Sequence, residues 1–362
     1  MRKFKEKNIN SFFYFFYIMI LTALYLGLYN FFSLRKELNP GFGNAISINN
    51  NNDICIANKK NIECQKNLFK NIDNNNTNIL FLGNSQTGAI NHYQEGDESF
   101  ITSLNKKSNL SKISIQAKGI WLPNANLREF EIIYKSLKNC FIDPEILFLP
   151  VFLDDLRRDS IRQELDSYEY YLCKDLINTK SDENLPTRDI KLTGNIEKLN
   201  NKIKSKTNIF NKLKSLNGKV RVDLYKLRNL IFNIKPSSIR RVKRAAYQEN
   251  IKSLENIIHD REIGNFKTFI YIPPLLNSDN KGPIPYDKNE YLIFKDQVKN
   301  ICKNEKCIYL NLEKSVPNEF WGLKTSTTFN NKKLERDFMH FTHKGHNILS
   351  EKLLDILISH IK

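Results

Sequence analysis

The chain has 362 residues, 41% of them hydrophobic and 26% charged, with a formal net charge of +17. That is enough apolar material for a real core, which excludes wholesale disorder, and the length fits one main domain with appendages. The basic balance raises a nucleic-acid partner, but no RNP1 segment or zinc-finger spacing is present and the lysines accompany a general richness in asparagine, so no nucleic-acid role is expected. At a membrane surface the same charge would meet anionic lipid heads or acidic glycans.

The first element is an apolar and aromatic run from Phe12 to Tyr29, preceded by Arg2, Lys3, Lys5 and Lys7. A helix rising about 1.5 Å per residue over such a run crosses a bilayer core about 30 Å thick. Positive flanks stay in the cytoplasm, so residues 1–33 are expected to be a cytoplasmic N-terminus and transmembrane anchor, with the remainder outside. The alternative is a cleaved signal peptide, against which stand the length of the run and the lack of a small-x-small cleavage site. The expected location is the cell membrane, single-pass, with the main domain extracytoplasmic (periplasmic or at the cell surface).

Residues 34–76 are rich in Asn, Lys and Gly without a sustained period and read as a tether. Residues 77–362 form the expected main domain. Its strands are short apolar runs: Asn78 to Leu82, Lys112 to Gln116, Ile146 to Val151, Lys267 to Ile272 and Ile308 to Leu312. Helical patterns lie between them, at Asn126 to Lys138 and finally at about Gly345 to Ile361. This alternation predicts a three-layer α/β/α sandwich around a five-stranded parallel sheet. A Lys-rich helical insertion at about 160–260 interrupts it, either a lid or partner-docking surface or a solvated decoration.

There are six cysteines, an even number that permits disulfides outside the cytoplasm. The short separations of Cys55 from Cys64 and Cys302 from Cys307 suggest two local loops. Cys140, closing a helix, is either paired or a buried thiol.

The chemistry-bearing residues stand at opposite ends of the domain. Gly83-Asn84-Ser85 ends the first strand, where α/β sheets place ligands, and Ser85 is the candidate nucleophile; otherwise it merely caps the next helix. Near the C-terminus, Asp337-Phe338-Met339-His340 sets an Asp three residues before a His in the turn into the last helix, where it can orient the imidazole and stabilise its charged form. His343 and His346 follow, so a metal reading exists, but Gly345 argues against one continuous helix there and no further ligand group stands out, so no metal is expected.

Taken together, Gly83-Asn84-Ser85 and Asp337-x-x-His340 resemble the first and last sequence blocks of the SGNH (GDSL-like) hydrolase superfamily, whose fold is flavodoxin-like. The resemblance implies a serine-dependent esterase with Ser85, His340 and Asp337 as its triad and no cofactor. It also implies an oxyanion hole built from a glycine N–H and an asparagine amide. Gly119, taken as following the second strand, matches the glycine. The asparagine position falls on Asp154, so either Asp154 is protonated, or the hole uses only the N–H groups of Ser85 and Gly119, or Asn124 substitutes.

An outward-facing membrane anchor with this altered third block resembles the subgroup that modifies cell-surface polymers beside a membrane-bound O-acyltransferase. The expected function is an esterase or O-acyltransferase acting on acylated glycans or small acyl esters. The alternative is a non-catalytic module of the same fold that binds glycan or an acyltransferase partner. Trp321 and the Pro273-Pro274 loop would shape the acceptor groove, unless they are simply a packed aromatic and a turn.

Overall fold

The computed structural model describes residues 45–48, 53–70, 75–140, 142–173, 224, 226–232, 244–264, 266–278, 282–283, 286–304, 307–324 and 335–361. The expected anchor at Phe12–Tyr29 lies outside them, as does much of the expected tether. Among the described residues, no helix is long and apolar enough to cross a membrane.

In chain order the elements are β1 (Ala45–Ser47), β2 (Ile54–Ile56), α1 (Ile62–Lys70), β3 (Thr77–Gly83), the single-turn α2 (Ser85–Gly88), β4 (Ala89–Asn91), α3 (Phe100–Leu110), β5 (Ile115–Trp121) and α4 (Leu127–Asn139). There follow β6 (Ile146–Pro150), α5 (Arg244–Ile263), β7 (Lys267–Ile272), the short β8 (Asn277–Ser278) and β9 (Gly282–Pro283), α6 (Lys288–Asn304), β10 (Ile308–Asn311), β11 (Trp321–Lys324), β12 (Glu335–Phe341) and α7 (His343–Ile361).

The main sheet has six strands in the order β10-β7-β6-β3-β5-β2, and every neighbouring pair is parallel. The sixth strand, β2, was not expected, because three residues are too few for a periodic signal. Its presence moves the start of the fold into the span read as tether. The second strand is also displaced, running Ile115–Trp121 instead of Lys112–Gln116. Lys112 instead takes a left-handed φ of 55° just after α3. Lys118 and Gly119 disguise the true strand; Lys118 is buried in it, and burial lowers its pKa while nearby Asp53 opposes that shift.

Both faces of the sheet are covered, so its strands are apolar throughout and alternate between two cores. Leu80, Leu82, Leu147, Leu149, Ile270 and Ile272 face α1, α4, α5 and α6. Ile79, Phe81, Phe148 and Phe269 face α3 and α7. On that second face Phe81, Phe148 and Phe269 stack in line across three strands, with centroids 4.7 and 4.4 Å apart. Offset aromatic contacts of this kind add about 0.5–1.5 kcal/mol each beyond their burial.

Helix α4 starts where its cap dictates: the Asn126 side chain accepts from Glu129 N and the Glu129 carboxylate accepts from Asn126 N. Helix α5 runs alongside it, joined by Arg128–Glu249 at 2.6 Å near their first turns and Lys138–Asp260 at 2.7 Å near their last. Leu254, Ile257 and Ile258 of α5 are buried in the core. The end of the expected insertion, at about 260, is therefore corrected, because Arg244–Ile263 is the crossover helix that feeds β7. The lysine-rich stretch that precedes it hid its apolar stripe.

Three disulfides are present: Cys55–Cys64, Cys140–Cys173 and Cys302–Cys307. They tie β2 to α1, the end of α4 to the start of the intervening segment, and the end of α6 to the approach to β10.

Candidate active site

Strand β3 is flanked by β5 on one side and β6 on the other, so the chain order reverses across it. The crevice at the carboxyl ends of the strands at such a reversal is where open α/β sheets bind ligands. Ser85 sits there. Asn84, in extended conformation, caps α2 by accepting from Gln86 N at 3.0 Å. Gly83 is required for space, not for an unusual backbone: a Cβ there would lie 2.0 Å from Thr87 Oγ1.

Asp337 and His340 come from a large bulge in β12. Between Trp321↔Phe341 and Leu323↔Arg336, two steps along β11 are matched by five along β12, which throws the intervening residues out of the ladder. The Asp337 carboxylate organises this turn itself, Oδ1 accepting from Met339 N at 2.9 Å and His340 N at 3.3 Å. The spacing of three thus has a local cause. Oδ2 accepts from His340 Nδ1–H at 2.8 Å and from Asn91 Nδ2 at 3.1 Å. Gly322 makes the last contact possible, since a Cβ there would fall 1.9 Å from the Asn91 side chain.

With Nδ1 carrying its proton toward Asp337, His340 Nε2 accepts from the Ser85 hydroxyl at 3.0 Å. Burial raises the Asp337 pKa, but the hydrogen bond and charge of His340, helped by Met339 N–H and Lys324, outweigh it and hold the carboxyl below its ordinary range. A buried acceptor, an oriented imidazole and a serine hydroxyl are therefore linked in one chain, the arrangement that nucleophilic acyl transfer requires.

No family model matches the chain, and no curated protein matches its sequence. Solved structures do resemble it. A GDSL-like lipase from Bacteroides thetaiotaomicron matches with a TM-score of 0.40 at 10% identity, over 84% of this chain and 98% of that one. An acetylxylan esterase from Geobacillus stearothermophilus matches with a TM-score of 0.38 at 9% identity, over 77% and 93%. These are weak likenesses, and the chemistry is read from the site itself.

The cleft beside Ser85 is lined by Asn84, Asn124, Ala125, Asp154, Asp155, Arg158 and Met339. Gly119 is not among them. It lies inside β5, not after it, and its N–H is spent on the Asp53 carbonyl at 2.7 Å, so it has no N–H to offer an oxyanion. The residue that does line the cleft from this side is Asn124, in a left-handed turn with φ of 53°. Asparagine is one of the few residues besides glycine that tolerate this conformation.

Asp154 lies where the resemblance put it, buried at the cleft, and its Oδ1 accepts from Arg157 Nε at 3.1 Å. Its neighbour Asp155 escaped the sequence reading. Asp155 accepts from Phe152 N at 3.0 Å and from Asn84 Nδ2 at 3.3 Å, binding the third block to the turn that carries Ser85. Complete burial outweighs those hydrogen bonds and, with Asp154 adjacent, pushes its pKa up to about 8. Asn91 and Gln86 were missed as well, because their roles depend on tertiary partners.

The histidines after His340 have structural duties. Helix α7 begins at His343 and runs through Gly345, contrary to expectation. His346 is fully buried, accepting at Nδ1 from Phe100 N and donating from Nε2 to the Ala89 carbonyl. Burial drives its pKa down to about 3, so it stays neutral. His343 Nδ1 accepts from Glu98 N at 3.1 Å. Trp321 is a packed aromatic, set edge-on against Phe341 at 5.5 Å, and Pro274 offers its carbonyl to Gln86.

Proposed function

We propose that the protein is a membrane-anchored SGNH-type serine esterase or O-acyltransferase acting on acylated cell-surface glycans. The observation that carries the catalytic half is the continuous chain Ser85 Oγ–His340 Nε2 at 3.0 Å and His340 Nδ1–Asp337 Oδ2 at 2.8 Å.

In the proposed reaction Ser85 Oγ bonds to the acyl carbon as its proton passes to His340 Nε2. Asp337 stabilises the imidazolium without taking the proton. Collapse of the tetrahedral intermediate breaks the bond to the leaving alkoxide, which recovers the proton from His340 and departs as an alcohol. Water, or a glycan hydroxyl, then loses its proton to His340 and attacks the acyl-enzyme; the acyl carbon–Oγ bond breaks and Ser85 Oγ takes the proton back from His340 Nε2. Splitting the transfer this way replaces one difficult step by two easier ones.

The location rests on other observations. The run Phe12–Tyr29 behind a basic leader supports an anchor, and three disulfides suit an oxidising compartment. A net charge of +17 suits acidic polymers and lipid heads.

A fluorophosphonate probe tests the reading, with labelling expected in the wild type and lost in Ser85→Ala. In cells Ser85→Ala should abolish surface O-acylation at normal protein levels. The Asp154 carboxylate in the cleft favours a second reading, a binding module without turnover. An unlabelled wild type would establish that one instead.

A further inference from the structure

One cation in the cleft has no part in the triad. Arg158 lines the cavity together with Ser85, Asn124 and Asp154. Its position is built at both ends. The main-chain carbonyl accepts from two fully buried amides, Asn250 Nδ2 at 2.8 Å and Asn126 Nδ2 at 3.4 Å. At the other end Nη1 donates to the main-chain carbonyl of Asn124, the left-handed residue of the cleft. A guanidinium carries five N–H donors in a fixed plane, so one such contact also orients the rest.

Two carboxyl groups and a second guanidinium surround Arg158. Asp154 accepts from Arg157 Nε at 3.1 Å. Burial works against the charged form of Arg158, and the Asp154 charge favours it. Asp155, with its pKa near 8, carries a proton at neutral pH. The cleft thus sets the Arg158 guanidinium beside a carboxylate already bonded to Arg157, in a place where an acyl-transfer site needs help for a developing negative charge. Neither the Asp154 carboxylate nor the Gly119 N–H supplies that help.

We propose that Arg158 is the oxyanion donor of this site, its guanidinium taking the place of the amide that Asp154 does not provide. As Ser85 Oγ bonds to the acyl carbon, the carbonyl π pair moves onto oxygen and Arg158 donates to it. When the pair returns, the bond to the leaving alkoxide breaks and the alkoxide takes the His340 proton. The assignment rests on the esterase reading and deepens it.

The experiment measures hydrolysis of p-nitrophenyl acetate and the rate of fluorophosphonate labelling in the full chain. Arg158→Gln should lower kcat about 100- to 1000-fold with KM within about threefold, since only a transition-state contact is removed. Arg158→Lys, keeping charge without the fork, should recover about tenfold over the glutamine variant. Unchanged far-ultraviolet dichroism and melting temperature would show that both variants fold, and if Arg158→Gln does not fold, a kcat loss of about tenfold or more in Arg158→Lys stands in its place. A kcat within about threefold of wild type, or a loss confined to KM, overturns the proposal. A wild type that hydrolyses no faster than Ser85→Ala overturns the esterase reading and this inference with it. A dead Ser85→Ala beside an unimpaired Arg158→Gln overturns the inference alone.

Discussion

Gln86 Nε2 donates to the Met339 carbonyl at 2.9 Å, and through that bond the turn carrying Ser85 is fastened to the bulge carrying His340. The same amide nitrogen donates to Pro274 O at 2.9 Å, drawing in the loop after β7. Replacing Gln86 with leucine keeps most of the volume but strands the buried Pro274 carbonyl and the half-buried Met339 carbonyl. Each orphaned group costs about 1–3 kcal/mol. Gln86→Leu should therefore melt several degrees lower and, by loosening the Ser85–His340 contact, lose about 10- to 100-fold in kcat with KM little changed. Steady-state kinetics beside a thermal melt will check both halves.

The elevated pKa of Asp155 makes a prediction about stability against pH. A carboxyl raised to about 8 when folded favours the native state fully below its unfolded value near 4, and that contribution is lost as pH rises toward 8. The wild type should therefore lose stability across this window by up to about 1.4 kcal/mol per pH unit from this group. Asp155→Asn removes the titration and should flatten the slope, even if the variant is less stable overall. Denaturant midpoints at several pH values will decide it, and identical slopes would refute the raised pKa.

Asn124 separates a backbone role from a side-chain role. Its left-handed φ of 53° is open to glycine, so Asn124→Gly should keep the turn and the carbonyl that receives Arg158. Activity within about threefold of wild type is expected. Asn124→Val puts a β-branched residue into the same conformation, at a cost of roughly 1–2 kcal/mol, and should lose both stability and rate. A loss of about 100-fold in Asn124→Gly would instead make the amide side chain the oxyanion donor.

The Cys140–Cys173 bridge spans a separation of 33 residues. Chain-entropy arguments assign a loop of that size about 3–4 kcal/mol. Cys140→Ala with Cys173→Ala should lower the denaturant midpoint accordingly while leaving the Ser85–His340 chemistry in place, because the bridge lies at the far end of α4. Paired unfolding curves and esterase rates will test the separation.

The two arms of the proposed triad were legible because each is written locally. Asp337 builds its own turn by accepting the N–H groups of Met339 and His340, so spacing alone betrays it. The long apolar runs of β3, β6 and β7 were legible for a similar reason. Strand β5 was not, since a buried lysine and a glycine in its middle break the apolar run. That error brought Gly119 among the oxyanion candidates, whereas Asn124, the alternative donor read from the sequence, lines the cleft in a conformation usually left to glycine. The partners Asn91, Gln86 and Arg158 meet Asp337, Met339 and Asn124 only after folding, and no periodicity announces such meetings.

Cys173 is bridged to the residue that caps the end of α4, while Arg128 near its beginning bonds Glu249 close to the start of α5. The departure and return points of the span from 174 to 243 are thus riveted to opposite ends of one helix of 13 residues, about 20 Å apart. The helix that flanks the sheet on this side is consequently also the strut that sets where the longest crossover leaves and rejoins the fold.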